Sequence, residues 1–361
     1  MMIPKFDPKE LQVVREIPPP FPGALGMPVY DFPVSPREAF IAAMRREPVW
    51  QITNLEYKPF CPHVYPDNIA RGFLQEAAKL PRERFGGKDM FGVEWVYVDT
   101  AGGSMVRPGS PLLGDINEWK DKVRWPDIDA WDWAGSAEEN RAFLNDGFFY
   151  DCWIMNGYFE RLISFMDFEG AALALIDVDQ KGAIHDFFSA LTDLYIRIVD
   201  KFVDHFHAEG FYFHDDWGSQ QAPFFSTETA KELIVPYMKR LTDHIHYRGA
   251  WADIHSCGRI ERQIPNIIAA GWDSWDGMAV NDTQGLYGEY GGKIIIRVVP
   301  DQFGPDTPEE DQRDAAREYV KKFCSAKKPS IISMYGAGVL TPAYREELYK
   351  ASRIKLGGIK V

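Results

Sequence analysis

The chain has 361 residues, 45% of them hydrophobic and 14% aromatic, which supports a large packed core and excludes a disordered or fibrous polypeptide. Fifty-three acidic against 40 basic side chains leave a formal net charge of −13, which argues against nucleic acid or an anionic membrane as partner. No apolar run reaches the roughly 20 residues of a membrane helix, the start Met1-Met2-Ile3-Pro4-Lys5 lacks a secretory pattern, and the four cysteines (Cys61, Cys152, Cys257, Cys324) are too scattered for a disulfide scaffold, so a soluble cytoplasmic protein is expected.

Residues 1–34 are rich in proline, from Pro4 to Pro33. Repeated loss of backbone donors disfavours a long helix or a central strand, and predicts an extended arm over the surface. Ser35-Pro36-Arg37-Glu38 predicts a helix start with a capping box, running through Met44. Short apolar segments at Val49–Ile52 and Phe91–Val98 read as strands. Residues 100–150, rich in Gly, Pro, Asp and Trp, read as a loop-like insertion.

From Ile184 to His207 the apolar residues recur at helical spacing, with Gly210 as a stop. Phe211–Phe213 reads as a buried strand. Ser226 should cap a helix that Pro236 kinks and Arg248-Gly249 closes. Trp251–Ile254, Trp272–Asp276, Ile294–Val298 and Ser330–Tyr335 read as further strands. Between them lie helices at 264–270, after Thr307-Pro308, and, at the end, after Thr341-Pro342. This alternation, with no dividing linker and no Gly-rich dinucleotide turn, predicts an α/β fold: a single (β/α)8 barrel over residues 1–361, with the arm at its start.

Barrel enzymes place their chemistry at the C-terminal ends of strands. Three such ends are loaded with polar groups: His214-Asp215-Asp216-Trp217-Gly218-Ser219-Gln220, His255-Ser256-Cys257-Gly258 and Asp273-Ser274-Trp275-Asp276. His255 and Cys257, two positions apart, can offer an imidazole and a thiolate to one Zn²⁺, with Asp276 as a third ligand. The plainer alternative is a buried cysteine, a hydrogen-bonded histidine and a capping aspartate. Asp215 and Asp216 are adjacent carboxylates; in a dry site one could donate a proton to a leaving oxygen, while its plainer use is to cap a loop. Trp217, Trp275 and Tyr335 could wall a flat substrate, with His214 and Gln220 beside them, or could be core. His205, His207, His244 and His246 read as solvated or capping groups, and Cys324 as too far from the strand ends to ligate.

The segments Phe91-Gly92-Val93-Glu94-Trp95, Trp125-Pro126-Asp127, Asp215-Asp216-Trp217-Gly218, His255-Ser256-Cys257-Gly258 and Gly271-Trp272-Asp273 together resemble the uroporphyrinogen decarboxylase superfamily. In particular they resemble its corrinoid-dependent methyltransferase branch from anaerobes. The resemblance runs from Arg46 to Arg353 and implies a (β/α)8 barrel. The decarboxylase proper grips substrate carboxylates with a pair of arginines after the first strand; here that stretch is Gln51-Ile52-Thr53-Asn54-Leu55-Glu56, with none. A polyanionic porphyrinogen is therefore a poor substrate for this chain. The methyltransferase branch commonly holds zinc by His-x-Cys and a later cysteine. His255 and Cys257 match the first two, while Met334–Gly338 stands where the third would be.

The resemblance implies transfer of a methyl group from a small methylated compound, such as an aryl methyl ether, to the corrinoid of a partner protein. Zinc on His255, Cys257 and Asp276 would serve as Lewis acid, and Asp215 or Asp216 as proton source. The rivals are methyl transfer from a corrinoid to a thiol or pterin, a decarboxylase-like lyase, and a non-catalytic corrinoid or tetrapyrrole binder. Whether the arm covers the barrel or contacts a neighbouring chain in a homodimer is left open by the sequence.

Overall fold

Six short strands run parallel in two sets of three, and the order within each set follows the chain. The first set is β1 (Phe149–Ile154), β2 (Gly210–His214) and β3 (Trp251–Ser256). The second is β4 (Ser274–Gly277), β5 (Ile295–Val298) and β6 (Ile331–Ile332). The structure is a computed structural model describing residues 4–17, 26–100, 102–304, 306–333 and 340–357. The chain divides into two units interleaved in sequence: Met1–Lys58, Gly147–Phe149 and Ser274–Val361 in one, Pro59–Asp146 and Tyr150–Asp273 in the other.

In the first of these units, Ile52 bridges Ile331 in parallel, and the Ile332 N–H donates to the Ile52 carbonyl at 2.9 Å. The first predicted strand thus pairs in parallel with the last, which an open doubly wound sheet does not do. Helices Thr283–Tyr290 and Glu309–Phe323 connect the strands, and Pro342–Leu356 follows them. The fold is α/β of the TIM-barrel type. The strands β1, β2 and β5 are buried at every position, the pattern of parallel strands covered on both faces.

The capping signals at Ser35, Ser226 and Thr341 act as expected. Ser35 Oγ accepts from the Glu38 N–H while Glu38 accepts from the Ser35 N–H, opening the helix Pro36–Met44. Ser226 and Thr341 cap Thr227–Leu233 and Pro342–Leu356. Thr307 does not cap: its hydroxyl donates to the Gly304 carbonyl, and Glu309–Phe323 starts without a side-chain cap. Gly210 is not the stop of Lys181–Phe206 either. His207 takes the left-handed turn (φ 56°), and Gly210 already belongs to β2.

The proline-rich arm contains a hairpin, Val13–Ile17 against Met27–Tyr30, and is fastened by Glu10, whose carboxylate accepts from Arg353 Nε (2.8 Å) and Tyr349 OH (2.6 Å). Residues 100–150 are not a loose insertion. Glu94–Val98 pairs antiparallel with Gly103–Val106, Trp133–Leu144 is a helix capped by Asp132, and Trp119 and Trp133 are buried. Among the described residues no helix is long and apolar enough to cross a membrane.

His244 and His246, read as solvated or capping groups, both find carboxylates: Asp200 and Asp273, each at 2.8 Å. The bond to Asp273 holds His246 above its ordinary pKa despite partial burial. A raised folded-state pKa adds stability below the unfolded value, near 6.5, and that stability is lost as pH rises through the folded one. The denaturation midpoint of His246→Gln should therefore fall below wild type at pH 5.5, and the gap should close on the alkaline side; a gap unchanged by pH would contradict the assignment.

Candidate metal centre

Strand register builds the site. In the parallel pair β2–β3, His214 lies directly beside His255, and their ring centroids are 4.9 Å apart. Side chains two apart on extended chain share a face, so Asp216 falls beneath His214 and Cys257 beneath His255. The four donors, two imidazole nitrogens, a carboxylate oxygen and a sulfur, all lie within 4.8 Å of one another. A close approach of backbones locks the two loops together. Gly258 has φ 85°, and a Cβ there would meet the Gly218 carbonyl oxygen at 2.1 Å.

The separations suit a divalent ion. His255 Nε2 is 3.2 Å from Cys257 Sγ, while His214 Nε2 and His255 Nε2 are 3.9 and 4.0 Å from Asp216 Oδ1. A tetrahedral zinc site has ligand-to-ligand edges of about 3.3–3.8 Å, and the mixed N, N, O, S donor set is one that zinc favours. Without an ion, burial and the Asp216 carboxylate push the Cys257 thiol well above its usual pKa. A bound cation is what would make it a thiolate. His255 is fully buried and His214 nearly so, whereas Asp216 and Cys257 are half-buried and give the cluster an open side.

The alternation that turns Asp216 toward the cluster turns Asp215 away from it. The buried Asp215 carboxylate accepts from the N–H groups of Tyr158 (3.0 Å), Phe159 (3.2 Å) and Glu160 (2.9 Å), and from Trp217 Nε1 (2.9 Å). These are the orphan donors at the start of the helix Tyr158–Ala174, whose N-cap, Gly157, offers no side chain. A Cβ at Gly157 would meet the Asp215 Cβ at 2.4 Å, so only glycine fits under this aspartate. Burial, with the Glu160 charge, raises the Asp215 carboxyl to about 7 against the pull of those donors. Asp215 is therefore a clamp between β2 and the following helix, which corrects the expectation of a proton donor facing substrate.

That helix brings a residue missed from sequence. Glu160 Oε2 lies 2.8 Å from His214 Nδ1, and its Oε1 accepts from Arg71 Nη1 at 2.8 Å. Burial opposes its ionisation, yet Arg71 and His214 bring its carboxyl down to about 2. On His214 burial acts the other way, but Glu160 and Asp216 hold the imidazole above its usual pKa. Arg71 Nη1 also donates to Asn156 Oδ1 (2.8 Å), and Asn156 Nδ2 to Asp67 (3.1 Å). Asn156 has φ 62° just beyond β1, a conformation in which asparagine is over-represented.

Of the other predicted site residues, Asp276 lies in the unit of β4–β6. It is fully buried there, with the Ser333 hydroxyl donating to it at 2.6 Å and Arg297 at 3.9 Å. The fully buried indole of Trp217 supports Asp215 instead of facing a substrate, Trp275 is equally buried, and Gln220 is exposed. Tyr335 lies outside the described residues.

No family model matches the chain, and no curated protein matches it. Among solved structures it is similar to a xylose isomerase-like TIM barrel protein from Mycobacterium smegmatis in complex with magnesium. Identity is 13% over 64% of this chain and 82% of that one, with a TM-score of 0.34. It is also similar to a D-psicose 3-epimerase in the presence of D-fructose, at 13% identity over 63% of this chain and 84% of that one, with a TM-score of 0.30. At these values neither likeness bears on what this chain binds or does.

Proposed function

We propose that this chain is a metal-dependent methyltransferase of the cytoplasm, which takes a methyl group from a small methylated compound of the aryl methyl ether kind and passes it to the corrinoid of a partner protein. The observation that carries this reading is the four-donor cluster at the ends of neighbouring barrel strands, where barrel enzymes keep their chemistry. The reaction class comes from the sequence resemblance to corrinoid-dependent methyltransferases.

His214, Asp216, His255 and Cys257 would hold zinc, in place of the set with Asp276 expected from sequence. Zinc bound there supplies Lewis acidity toward a poor leaving group. The chain's own residues do the rest. The buried imidazoles of His214 and His255 keep water from one side of the cluster, and the half-buried Asp216 and Cys257 border the side open to a substrate. Of the two adjacent aspartates only Asp216 faces the cluster, because the Asp215 oxygens are occupied by four N–H donors.

The reading is tested by metal analysis together with assay. Wild-type protein should carry close to one zinc per chain by plasma mass spectrometry and should demethylate a methoxyaromatic in the presence of cob(I)alamin. Cys257→Ser should lose zinc and activity together. Normal turnover by a metal-free Cys257→Ser protein would overturn the reading.

A further inference from the structure

The geometry points to Glu160 as a positioning residue: backed by Arg71, it fixes His214 in the tautomer and orientation that present Nε2 to the metal cluster. This rests on the metal reading of the site and is independent of methyl transfer.

An imidazole offers a lone pair on one nitrogen only when its proton sits on the other. Glu160 Oε2, at 2.8 Å from His214 Nδ1, is an acceptor that places the proton on Nδ1 and leaves Nε2 free to ligate. Carboxylates hold metal-binding histidines in this way, raising their basicity and setting the plane of the ring. Three restraints hold Glu160 in turn. Its own N–H donates to Asp215, one residue after His214, so the helix start and the strand end share one anchor. Its Oε1 accepts from Arg71. Arg71 itself is held by Asn156 and by the face of Trp95, whose ring centroid lies 5.0 Å from the guanidinium carbon. In the run His214-Asp215-Asp216, the outer two residues thus face the cluster, and the middle one fixes the helix that orients the first.

The rival account makes Glu160 and Arg71 a buried ion pair that serves the fold and has no bearing on the ligand. Zinc affinity of the full-length protein, measured by competition with a chromophoric chelator, separates the two. Glu160→Gln should bind Zn²⁺ about 10- to 100-fold more weakly. Arg71→Met, which leaves Glu160 in place but unsupported, should shift affinity in the same direction by a smaller factor. The double variant Glu160→Gln/His214→Ala should be no weaker than His214→Ala alone, since Glu160 acts only through His214. In Co²⁺-loaded protein the visible absorption band of Glu160→Gln should move, which loss of a remote ion pair would not cause.

Thermal midpoints of the metal-free variants show whether each one folds; should Glu160→Gln fail to fold, Arg71→Met carries the test. Wild-type zinc affinity in Glu160→Gln, or additive losses in the double variant, would overturn the proposal. Unaltered zinc binding in both Cys257→Ser and His255→Ala would overturn it along with the metal reading itself. Zinc binding that follows the expected pattern in a protein with no demethylase activity would refute methyl transfer and leave the role of Glu160 standing.

Discussion

Arg161→Met should destabilise the protein by about 3–5 kcal/mol, because it leaves two buried carboxylates without their cation. Arg161 is fully buried. Its guanidinium binds Asp67 and, at 2.7 Å, Asp89, and it lies 4.8 Å from the centre of the Phe91 ring. The two aspartates organise the surrounding chain. Asp89 Oδ1 accepts from the N–H groups of Phe91 and Val93 (both 2.9 Å) and its Oδ2 from Trp95 Nε1 (3.1 Å), while Asp67 accepts from the Met90 N–H (3.0 Å). Methionine preserves much of the arginine's volume, so the expected loss is electrostatic in origin. Two controls follow. The deficit should narrow at pH 5, where an unpaired buried carboxylate takes up a proton more readily than a paired one. The combination Arg161→Met/Asp67→Asn/Asp89→Asn should regain part of the stability. Urea denaturation at pH 5 and pH 8 measures both; a single variant within 1 kcal/mol of wild type at pH 8 would show that the charges are not desolvated as described.

Asp215→Ala should cost a comparable amount, roughly 3–5 kcal/mol, with a fall in Tm of roughly 4–7 °C. It strands three helix N–H groups and the Trp217 indole N–H together in a buried place. Asp215→Asn retains an acceptor oxygen but no charge, and should fall between wild type and alanine. Amide hydrogen exchange at residues 158–160 reads the local effect, which should exceed any change along β3. An alanine variant as stable as wild type, with those amides still protected, would remove Asp215 from its role as clamp.

The parts of the fold written in local chemistry were readable from sequence. Ser35, Ser226 and Thr341 cap helices because a short hydroxyl side chain reaches an orphan N–H within its own turn, whatever surrounds it. The pairs 214/216 and 255/257 could be read because extended chain places alternate residues on one face. That they meet depends on the β2–β3 register, which no local pattern states, and so Asp276 was matched to His255 and Cys257 in place of His214 and Asp216. The strand β1 escaped notice for a related reason. All six of its residues are buried, so it shows no polar–apolar alternation to distinguish it from the aromatic-rich segment before it. Glu160 escaped because the carboxylate beside His214 lies 54 residues earlier in the chain. For Trp217 and Trp275 the sequence leaves a substrate wall and core both open, since composition cannot separate an aromatic at a strand end from one beneath it; both are core.

The pairing of Ile52 with Ile331 also affects how the protein is made. Residues 1–58 belong to a unit whose main remaining part begins at Ser274, whereas the other lies wholly within 59–273. At roughly 5–20 residues per second, the ribosome needs on the order of ten to forty seconds to pass from Lys58 to Ser274. Through that interval Trp50 and Ile52, which end buried, wait for Tyr349 and Ile331, their partners in the last part of the chain. The unit that carries the four-donor cluster, by contrast, leaves the ribosome almost whole and can fold first. The early segment is therefore the part of the nascent chain that most needs a chaperone's cover.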